Sequence, residues 1–468
     1  MLTQSHHTAT ALLARFRSVR SATMEFCAPL TPEDLMVQSC PEASPVKWHL
    51  AHTSWFFETF VLREFVAAYQ PFDPDFLWLF NSYYKSLGDM PEKKLRASFS
   101  RPPLDQILAY RETVDTGICR LLEHMPEDEA LRRIALGLEH EQQHLELIAT
   151  DIKHAFFTNP LHPAYTRPAS PARGEAIAPP LSWINFSPGY PGRPGVVEVG
   201  ISPDPAAIDT FAFDNETPRH PVYIAPFRLA SRLVTCAEYL AFIEEDGYAR
   251  PELWLSEGWD TMRAEGWQAP LYWRRDAASE SGATSGWSVY TLHGFQPLGE
   301  LSETPVCHLS FFEADAFARW AGYRLPTEFE WEFAAISGAA VPSQNLSSRP
   351  EAAHFAAAAE RPAASSAPNM LESANLHPTP ASPTPGLQQI YGDVWEWTQS
   401  PYTGYPGYHP LPGALGEYNG KFMSSQMVLR GGSCVTPETH IRATYRNFFQ
   451  PSIRWQFSGL RLARDGAS

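Results

Sequence analysis

Two histidines, His140 and His144, stand four residues apart in the segment GLEHEQQHLEL. The apolar residues around them recur at spacings of three, four and seven, which predicts a helix and not a strand. These apolar residues are Leu131, Ile134, Leu138, Leu145, Ile148 and Ile152. At about 1.5 Å of rise per residue, the two imidazoles lie roughly 6 Å apart along one face of the helix, so both can bind one metal ion. The spacing is therefore compatible with a metal site on this helix.

Two other interpretations fit the same pair. The segment also matches HExxH, the signature of zinc hydrolases in which the glutamate, here Glu141, acts as general base. On a helix, however, Glu141 falls on the side away from the histidines, which gives it no special access to a metal. Histidines one turn apart can also be an ordinary packed pair. The spacing alone leaves all three interpretations open.

A metal held by two histidines of one helix needs a further ligand from elsewhere in the chain. The segment PVKWHLAHTSWFFE offers His52, which shares a helix face with Trp48, Trp55 and Phe56 and so points toward the interior of a bundle. His49, in the same segment, is the rival candidate. We expect His52 to be the better placed of the two.

Composition limits the class of protein. The chain of 468 residues is too long for one hydrophobic core and predicts two or three domains. Its formal net charge of -16 argues against nucleic acid or an anionic membrane as a partner. No apolar run approaches the roughly 20 residues that cross a bilayer, and the N-terminus resembles no signal peptide, so we expect a cytoplasmic protein. The six cysteines are scattered, which favours reduced thiols over a disulfide framework. The oligomeric state stays open.

The first 157 residues have a helical pattern. We predict an N-terminal helix, a helix over Trp48–Tyr69, one over Pro103–His124, and the histidine helix ending near Phe157. Helices of this number and length predict a four-helix bundle.

The character of the sequence changes after this region. Residues 158–185 are rich in Pro, Ala and Ser and predict a linker. From 186 to 468, short strand-like pieces separated by Gly, Pro and Asn surround helices at Cys236–Glu245 and Phe312–Ala321, which predicts a mixed α/β domain. A low-complexity insertion at about 337–385 interrupts it.

Both halves resemble known domains. PVKWHLAHTSWFFE together with LEHEQQHLELIATDIKH resembles the DinB-type helical domain of the sulfoxide synthases of ergothioneine biosynthesis, the EgtB family. RLPTEFEWE, GDVWEW and LRGGS resemble the formylglycine-generating-enzyme-like domain, which is related to C-type lectins. The two domains in this order cover nearly the whole chain, and this combination is typical of that family. Formylglycine-generating chemistry is disfavoured because Cys434 has no cysteine after it.

The resemblance implies a cofactor and a reaction. It assigns His52, His140 and His144 as ligands of a nonhaem iron(II) and leaves His49 structural. Three imidazoles leave up to three positions open, which suits a thiol, an imidazole and dioxygen together. The implied reaction joins the sulfur of cysteine to carbon 2 of the imidazole of hercynine (trimethylhistidine), with O₂ as co-substrate, and yields hercynylcysteine sulfoxide. γ-Glutamylcysteine is the alternative thiol.

Substrate contacts follow from the same resemblance. Asn447 and Phe448 match the asparagine and aromatic positions that hold hercynine, whose trimethylammonium favours aromatic faces. Phe449 stands where mycobacterial members carry an aspartate thought to bind γ-glutamylcysteine, which favours free cysteine. Tyr83 and Tyr84 resemble the tyrosine pair of the cysteine-using type, one of which donates a proton that steers the reaction to sulfoxide. Which of the two does so stays open.

Other charged and polar residues complete the expectations. Lys93, Arg96, Arg101 and Arg454 are candidate partners for the carboxylate of cysteine. Five residues of the second half are expected to be buried hydrogen-bonding and packing residues and not catalysts: Glu328, Glu330, Trp331, Glu396 and Trp397. Two alternative functions of other classes stay open: a zinc hydrolase of the HExxH type and a DinB-type thiol transferase.

Overall fold

The chain forms two compact units. A computed structural model describes residues 2–166, 177–190, 192–202, 211–276, 286–337 and 367–466. The first unit comprises the described residues of Met1–Tyr165, Pro203–Asp214 and His409–Lys421, and the second those of Thr166–Ser202, Asn215–Tyr408 and Phe422–Ser468. Two short segments that are distant in sequence therefore belong with the N-terminal helices.

The first unit is a helical bundle. Its helices are α1 (Leu2–Cys27), α2 (Val46–Phe57), α3 (Arg63–Phe65), α4 (Phe76–Leu79), α5 (Leu104–Glu123) and α6 (Asp128–Thr158). Helices α1 and α2 each pack against α5 and α6, so these four long helices enclose one core. Acidic side chains in the first turn of α6, Asp128 and Glu129, complement the positive end of its dipole. The predicted four-helix bundle is confirmed.

Helix α2 is central to this bundle. Every residue of α2 is buried, as expected for a helix that is enclosed on all sides. It continues through a π-helical turn at Glu58–Leu62 into α3 and ends at Phe65, where Val66 becomes extended. The predicted helix over Trp48–Tyr69 is therefore too long, because Ala68 adopts a positive φ of 56° that no α-helix accommodates.

The second unit combines helices with several small sheets. Its helices are α7 (Cys236–Glu244), α8 (Ser256–Glu265), α9 (Phe311–Trp320) and α10 (Glu328–Ser337). Its strands are β1 (Trp183–Phe186), β2 (Gly189–Tyr190), β3 (Arg193–Pro194), β4 (Val196–Val199), β5 (His220–Tyr223), β6 (Phe227–Ala230), β7 (Trp273–Arg275), β8 (Trp287–Thr291), β9 (Gly294–Pro297), β10 (Trp395–Pro401), β11 (Met427–Arg430), β12 (Asn447–Phe449), β13 (Ser458–Gly459) and β14 (Ala463–Asp465).

Antiparallel pairing dominates these sheets. Three-stranded sheets have the orders β1-β6-β14 and β7-β8-β9, and two-stranded sheets pair β2 with β3 and β4 with β5. The four-stranded sheet has the order β12-β11-β10-β13, in which only the β10–β13 pair is parallel. Capping boxes begin two of the helices, with Thr235 and Glu238 at α7 and Ser310 and Glu313 at α9. The mixed α/β class predicted for this half is confirmed.

Buried carboxylates of the second unit are held by arginines. Arg430 donates to Glu328 at 2.9 Å and to Glu332 at 3.0 Å, and Arg461 donates to both oxygens of Glu396 at 2.8 Å. The packing role expected of Glu328 and Glu396 fits these ion pairs, because a carboxylate held in this way cannot act on a substrate.

Parts of the sequence-based expectations lie beyond the described residues. The predicted linker at 158–185 is described at 158–166 and 177–185, and the predicted insertion at about 337–385 is described at Ser337 and 367–385. No helix among the described residues has the length and apolar character that a membrane crossing requires.

Candidate metal centre

Three histidines converge inside the first unit. His52 comes from α2, and His140 and His144 come from α6. One potential ligand atom of each lies within 4.8 Å of those of the other two, and all three side chains are buried. Within the residues that the structure describes, this is the one such group of three. The structure thus brings together the three side chains that the sequence singled out.

Their ring nitrogens fit a metal ion. The Nδ1–H of His52 donates to the carbonyl of Phe80 at 2.6 Å, which leaves the Nε2 lone pair. That Nε2 and both ring nitrogens of His140 are buried without a hydrogen-bond partner among the described residues. Burial lowers the pKa of His140 to about 3 and those of His52 and His144 well below the ordinary value, so all three are neutral. Buried neutral nitrogens without partners are what a metal ligand set requires.

Aromatic rings hold His52 in place. Its imidazole stacks on Trp48 at a centroid distance of 4.4 Å and on Trp55 at 5.3 Å, with interplanar angles of 15° and 14°. The indole N–H of Trp55 in turn donates to the carbonyl of Leu77 at 2.8 Å. The imidazole ring of His52 is therefore held in one orientation by Trp48 and Trp55, two of the aromatic residues that share its helix face.

His49 does not join the cluster but contacts it. Its Nδ1 lies 2.7 Å from Nδ1 of His144, and its Nε2 lies 3.1 Å from the carboxylate of Asp151. His49, which was expected to be structural, is therefore hydrogen-bonded to the candidate ligand His144.

Glu141 belongs to a different part of the bundle. Both of its oxygens are occupied: Arg20 donates to Oε2 at 2.7 Å, and Arg111 and Thr23 donate to Oε1 at 2.5 and 2.9 Å. Burial alone would raise the pKa of Glu141, but the two guanidinium groups lower it to about 2. A carboxylate so committed is a poor general base, which removes the support for a zinc hydrolase.

The tyrosine pair is connected to the histidines through Trp55, which stacks on His52. Tyr84 is buried with its ring 5.5 Å from Trp55 and 4.6 Å from Tyr83. The side-chain amide of Asn81 fixes the turn by bonding both the backbone N–H and the carbonyl of Tyr84. Burial raises the pKa of both tyrosines, so each hydroxyl keeps its proton at neutral pH.

A segment from far along the chain contributes Tyr418, which sequence reasoning missed. Its ring lies 5.7 Å from the ring of His140, and its hydroxyl donates to the side-chain oxygen of Gln143. The same segment fixes the tyrosine loop, because Glu417 accepts the backbone N–H of Lys85 at 3.0 Å. Gln143 had a signal in the sequence, since it follows His140 by three residues on the same helix face. Tyr418 had none.

The candidate carboxylate partners are in different surroundings. Arg96 is buried, with its guanidinium carbon 3.4 Å from the centroid of the Trp48 ring, and it donates to Ser44 Oγ at 2.8 Å. Lys93 and Arg101 are exposed. Arg96 is therefore brought to the cluster through Trp48, which itself stacks on His52.

The remaining candidates belong to the second unit. Arg454 donates to Glu313 at 3.0 Å and is thereby paired. On β12, Phe448 stacks on Tyr402 at 4.0 Å with an interplanar angle of 11°. The side-chain oxygen of Asn447 accepts the backbone N–H of Phe448 at 2.9 Å. Asn447 and Phe448 thus lie next to each other, half-buried, at a packed cluster of aromatic rings.

Comparison with known proteins covers both units. Residues 193–466 match the family described as sulfatase-modifying factor enzyme 1-like domain, and residues 15–148 match the DinB superfamily. The hercynine oxygenase of Mycolicibacterium smegmatis is 32% identical over 473 residues, which cover 97% of each chain.

Two further relatives are informative. The hercynine oxygenase of Mycobacterium tuberculosis is 31% identical over 442 residues, covering 92% of this chain and 93% of the relative. The formylglycine-generating enzyme of Streptomyces coelicolor is 29% identical over 274 residues, covering 54% of this chain and 82% of the relative. These matches confirm the resemblance of the two halves that was predicted from their motifs.

Proposed function

This chain belongs to the hercynine oxygenase family, the sulfoxide synthases of ergothioneine biosynthesis, and we propose that it joins cysteine to hercynine with O₂ as oxidant. The chain is an oxidoreductase. In the proposed reaction, hercynine loses the hydrogen on carbon 2 and cysteine loses its thiol hydrogen as the C–S bond forms. One atom of O₂ becomes the sulfoxide oxygen and the other leaves as water, which accounts for four electrons. The observation that carries the proposal is the buried three-histidine cluster in a chain related to these oxygenases along its whole length.

Iron(II) is the proposed metal. Nε2 of His52 and ring nitrogens of His140 and His144 would hold it, because these are buried neutral donors. Nitrogen donors without a carboxylate suit a divalent transition metal and leave positions for substrates. When bound, iron(II) supplies coordination of the thiol sulfur and activation of dioxygen.

Two features support hercynine as the substrate. The first is the relationship to proteins that carry its name. The second is the match of Asn447 and Phe448, both half-buried on β12, to the asparagine and aromatic positions that hold hercynine in the family, because an aromatic side chain stabilises a trimethylammonium by about 0.5 to 2 kcal/mol. We assign Asn447 and Phe448 to this role.

Tyr83 or Tyr84 holds the proton that the reaction requires. Burial keeps both hydroxyls protonated, and the pair lies next to Trp55, which stacks on His52. A proton delivered during C–S bond formation favours the sulfoxide over oxidation of the free thiol to sulfinate.

Free cysteine is the proposed thiol. The apolar side chain of Phe449 offers no polar partner for the γ-glutamyl group of the alternative donor. Arg96 is the favoured partner for the cysteine carboxylate, because its guanidinium lies against Trp48. Lys93, Arg101 and Arg454 remain weaker candidates, since the first two are exposed and the third is paired with Glu313.

Oxygen consumption tests the proposal. Anaerobically prepared, iron(II)-loaded protein would be given hercynine with cysteine or with γ-glutamylcysteine, and the products analysed by mass. We expect uptake that depends on hercynine and cysteine together, loss of uptake in His140→Leu, and retention in His124→Gln, an exposed histidine at the end of α5 whose Nδ1 bonds the carbonyl of Arg120. Product only from γ-glutamylcysteine would overturn the thiol assignment. No hercynine-dependent uptake with either thiol would overturn the function in favour of a thiol transferase.

A further inference from the structure

A chain of hydrogen bonds leads away from one of the candidate ligands. Nδ1 of His144 lies 2.7 Å from Nδ1 of His49, and Nε2 of His49 lies 3.1 Å from Oδ2 of Asp151. The same Oδ2 accepts the backbone N–H of Ser44 at 2.8 Å. The side chains of His144, His49 and Asp151 are all buried.

The chemistry of the groups fixes which nitrogen carries each proton. An ionised carboxylate only accepts hydrogen bonds, so Nε2 of His49 must be the donor to Asp151. A neutral imidazole has one N–H, and therefore Nδ1 of His49 is an acceptor. Nδ1 of His144 then donates to it. The lone pair of His144 is left on Nε2, where a metal ligand needs it.

We propose that His49 and Asp151 are positioning residues that hold His144 as the Nδ1–H tautomer and orient its Nε2 for the metal. This inference rests on the metal site of the proposed function and goes beyond it, because neither residue is a ligand. Their effect is transmitted through one imidazole to the next.

A packing role alone does not explain this arrangement. A buried pair of imidazoles in direct contact requires one defined order of donor and acceptor, whereas apolar side chains would fill the same space without that requirement. Oδ2 of Asp151 accepts the backbone N–H of Ser44 at 2.8 Å and lies 3.1 Å from Nε2 of His49, so the carboxylate is placed as an acceptor at the end of this chain of hydrogen bonds. An acceptor at this end gives the two histidines one order of donor and acceptor.

Nitrogen NMR of the metal-free protein gives the most direct test. In protein labelled with ¹⁵N-histidine, long-range proton–nitrogen correlations report which ring nitrogen carries the proton. We expect His49 to be protonated at Nε2 and His144 at Nδ1. Protonation of His144 at Nε2 would overturn the proposal. The measurement needs no variant and no activity, so it can fail or succeed independently of the proposed function.

Substitutions extend the test to metal binding, with cobalt(II) as probe and a competing chelator. Asp151→Asn keeps the shape but can donate to His49 and so reverse the order; we expect about 10- to 100-fold weaker cobalt binding and a changed cobalt absorption spectrum. His49→Asn keeps an acceptor near His144 and should lose less affinity than His49→Leu. His124→Gln is the control, at an exposed histidine at the end of α5 whose Nδ1 bonds the carbonyl of Arg120, and should bind cobalt as the wild type does. Unchanged affinity and spectrum in Asp151→Asn would overturn the proposal.

Discussion

At the scale of single residues, the candidate ligands differ in what they do for the fold. His52 satisfies the carbonyl of Phe80, whereas both ring nitrogens of His140 are buried without a partner among the described residues. A buried polar atom without a partner costs about 1 to 3 kcal/mol. The unpaired nitrogens of His140 are therefore expected to lower the stability of the metal-free protein, a cost that a bound metal would remove.

A substitution at His140 should separate these two effects. Leucine removes the unsatisfied nitrogens and has a similar volume, so we expect metal-free His140→Leu to be as stable as the wild type or up to about 2 kcal/mol more stable. It should retain no metal. His52→Leu also loses the metal but leaves the Phe80 carbonyl unpaired, and should be destabilised by about 1 to 3 kcal/mol. Urea unfolding of the metal-free proteins and metal analysis measure both. Strong destabilisation of His140→Leu would contradict the lack of protein partners.

Some residues of the candidate site could be predicted from the sequence and others could not. His140 and His144 could be predicted because helical periodicity places them one turn apart, and His52 because it shares a face with aromatic residues. Tyr418 could not be predicted, because its position near His140 depends on where a distant segment packs. His49 could be seen, but its contact with His144 depends on the rotation of α2 against α6, which periodicity does not specify.

At the scale of elements, one buried carboxylate joins three helices. Glu141 on α6 binds Arg20 on α1 and Arg111 on α5. Removing one partner of a buried ionic group leaves the others uncompensated and costs about 3 to 5 kcal/mol. This network, and not a catalytic role, accounts for the glutamate in HExxH.

The network predicts a pH dependence of stability. The pKa of Glu141 is lowered from 4.5 to about 2 in the folded chain. A lowered folded-state pKa contributes stability that is complete above pH 4.5 and lost as the pH falls toward 2. We therefore expect the difference in unfolding free energy between wild type and Glu141→Gln to be about 3 kcal/mol or more at neutral pH and to shrink in this range. Glu123→Gln, which removes an exposed pair with Arg17, should change stability by less than about 1 kcal/mol throughout. A Glu141→Gln difference that is constant with pH would contradict this origin.

Helices α2 and α6 approach closely at one glycine. A Cβ added to Gly137 would stand 2.4 Å from Cε1 of Phe57. We expect Gly137→Ala to be destabilised by about 1 to 3 kcal/mol, despite the roughly 1 kcal/mol that alanine gains in helix propensity. It should also bind cobalt(II) more weakly, because α6 must move away from the helix that carries His52. Gly117→Ala, which meets only the flexible end of Leu62 at 2.9 Å, should be neutral or stabilised. Equal effects of the two substitutions in urea unfolding would contradict the close approach.

At the scale of the whole molecule, the order of the two domains could be predicted from the sequence, but not which distant segments join each unit. The change from helical periodicity to short strand-like pieces indicated a bundle followed by a mixed domain, and both are confirmed. The assignment of His409–Lys421 to the first unit has no local signal, because a sequence pattern specifies neighbours along the chain and not those in space. That segment carries Tyr418, so the least predictable part of the fold is also part of the candidate site.

The fate of both oxygen atoms gives the most direct test that this chain is an oxygen-dependent sulfoxide synthase. The iron(II)-loaded protein would convert hercynine and cysteine under ¹⁸O₂, with mass analysis of the conjugate and of the water formed. We expect one ¹⁸O atom in each molecule of hercynylcysteine sulfoxide and the second in water. A conjugate without ¹⁸O, or oxidation of cysteine alone with no conjugate, would contradict the proposed reaction.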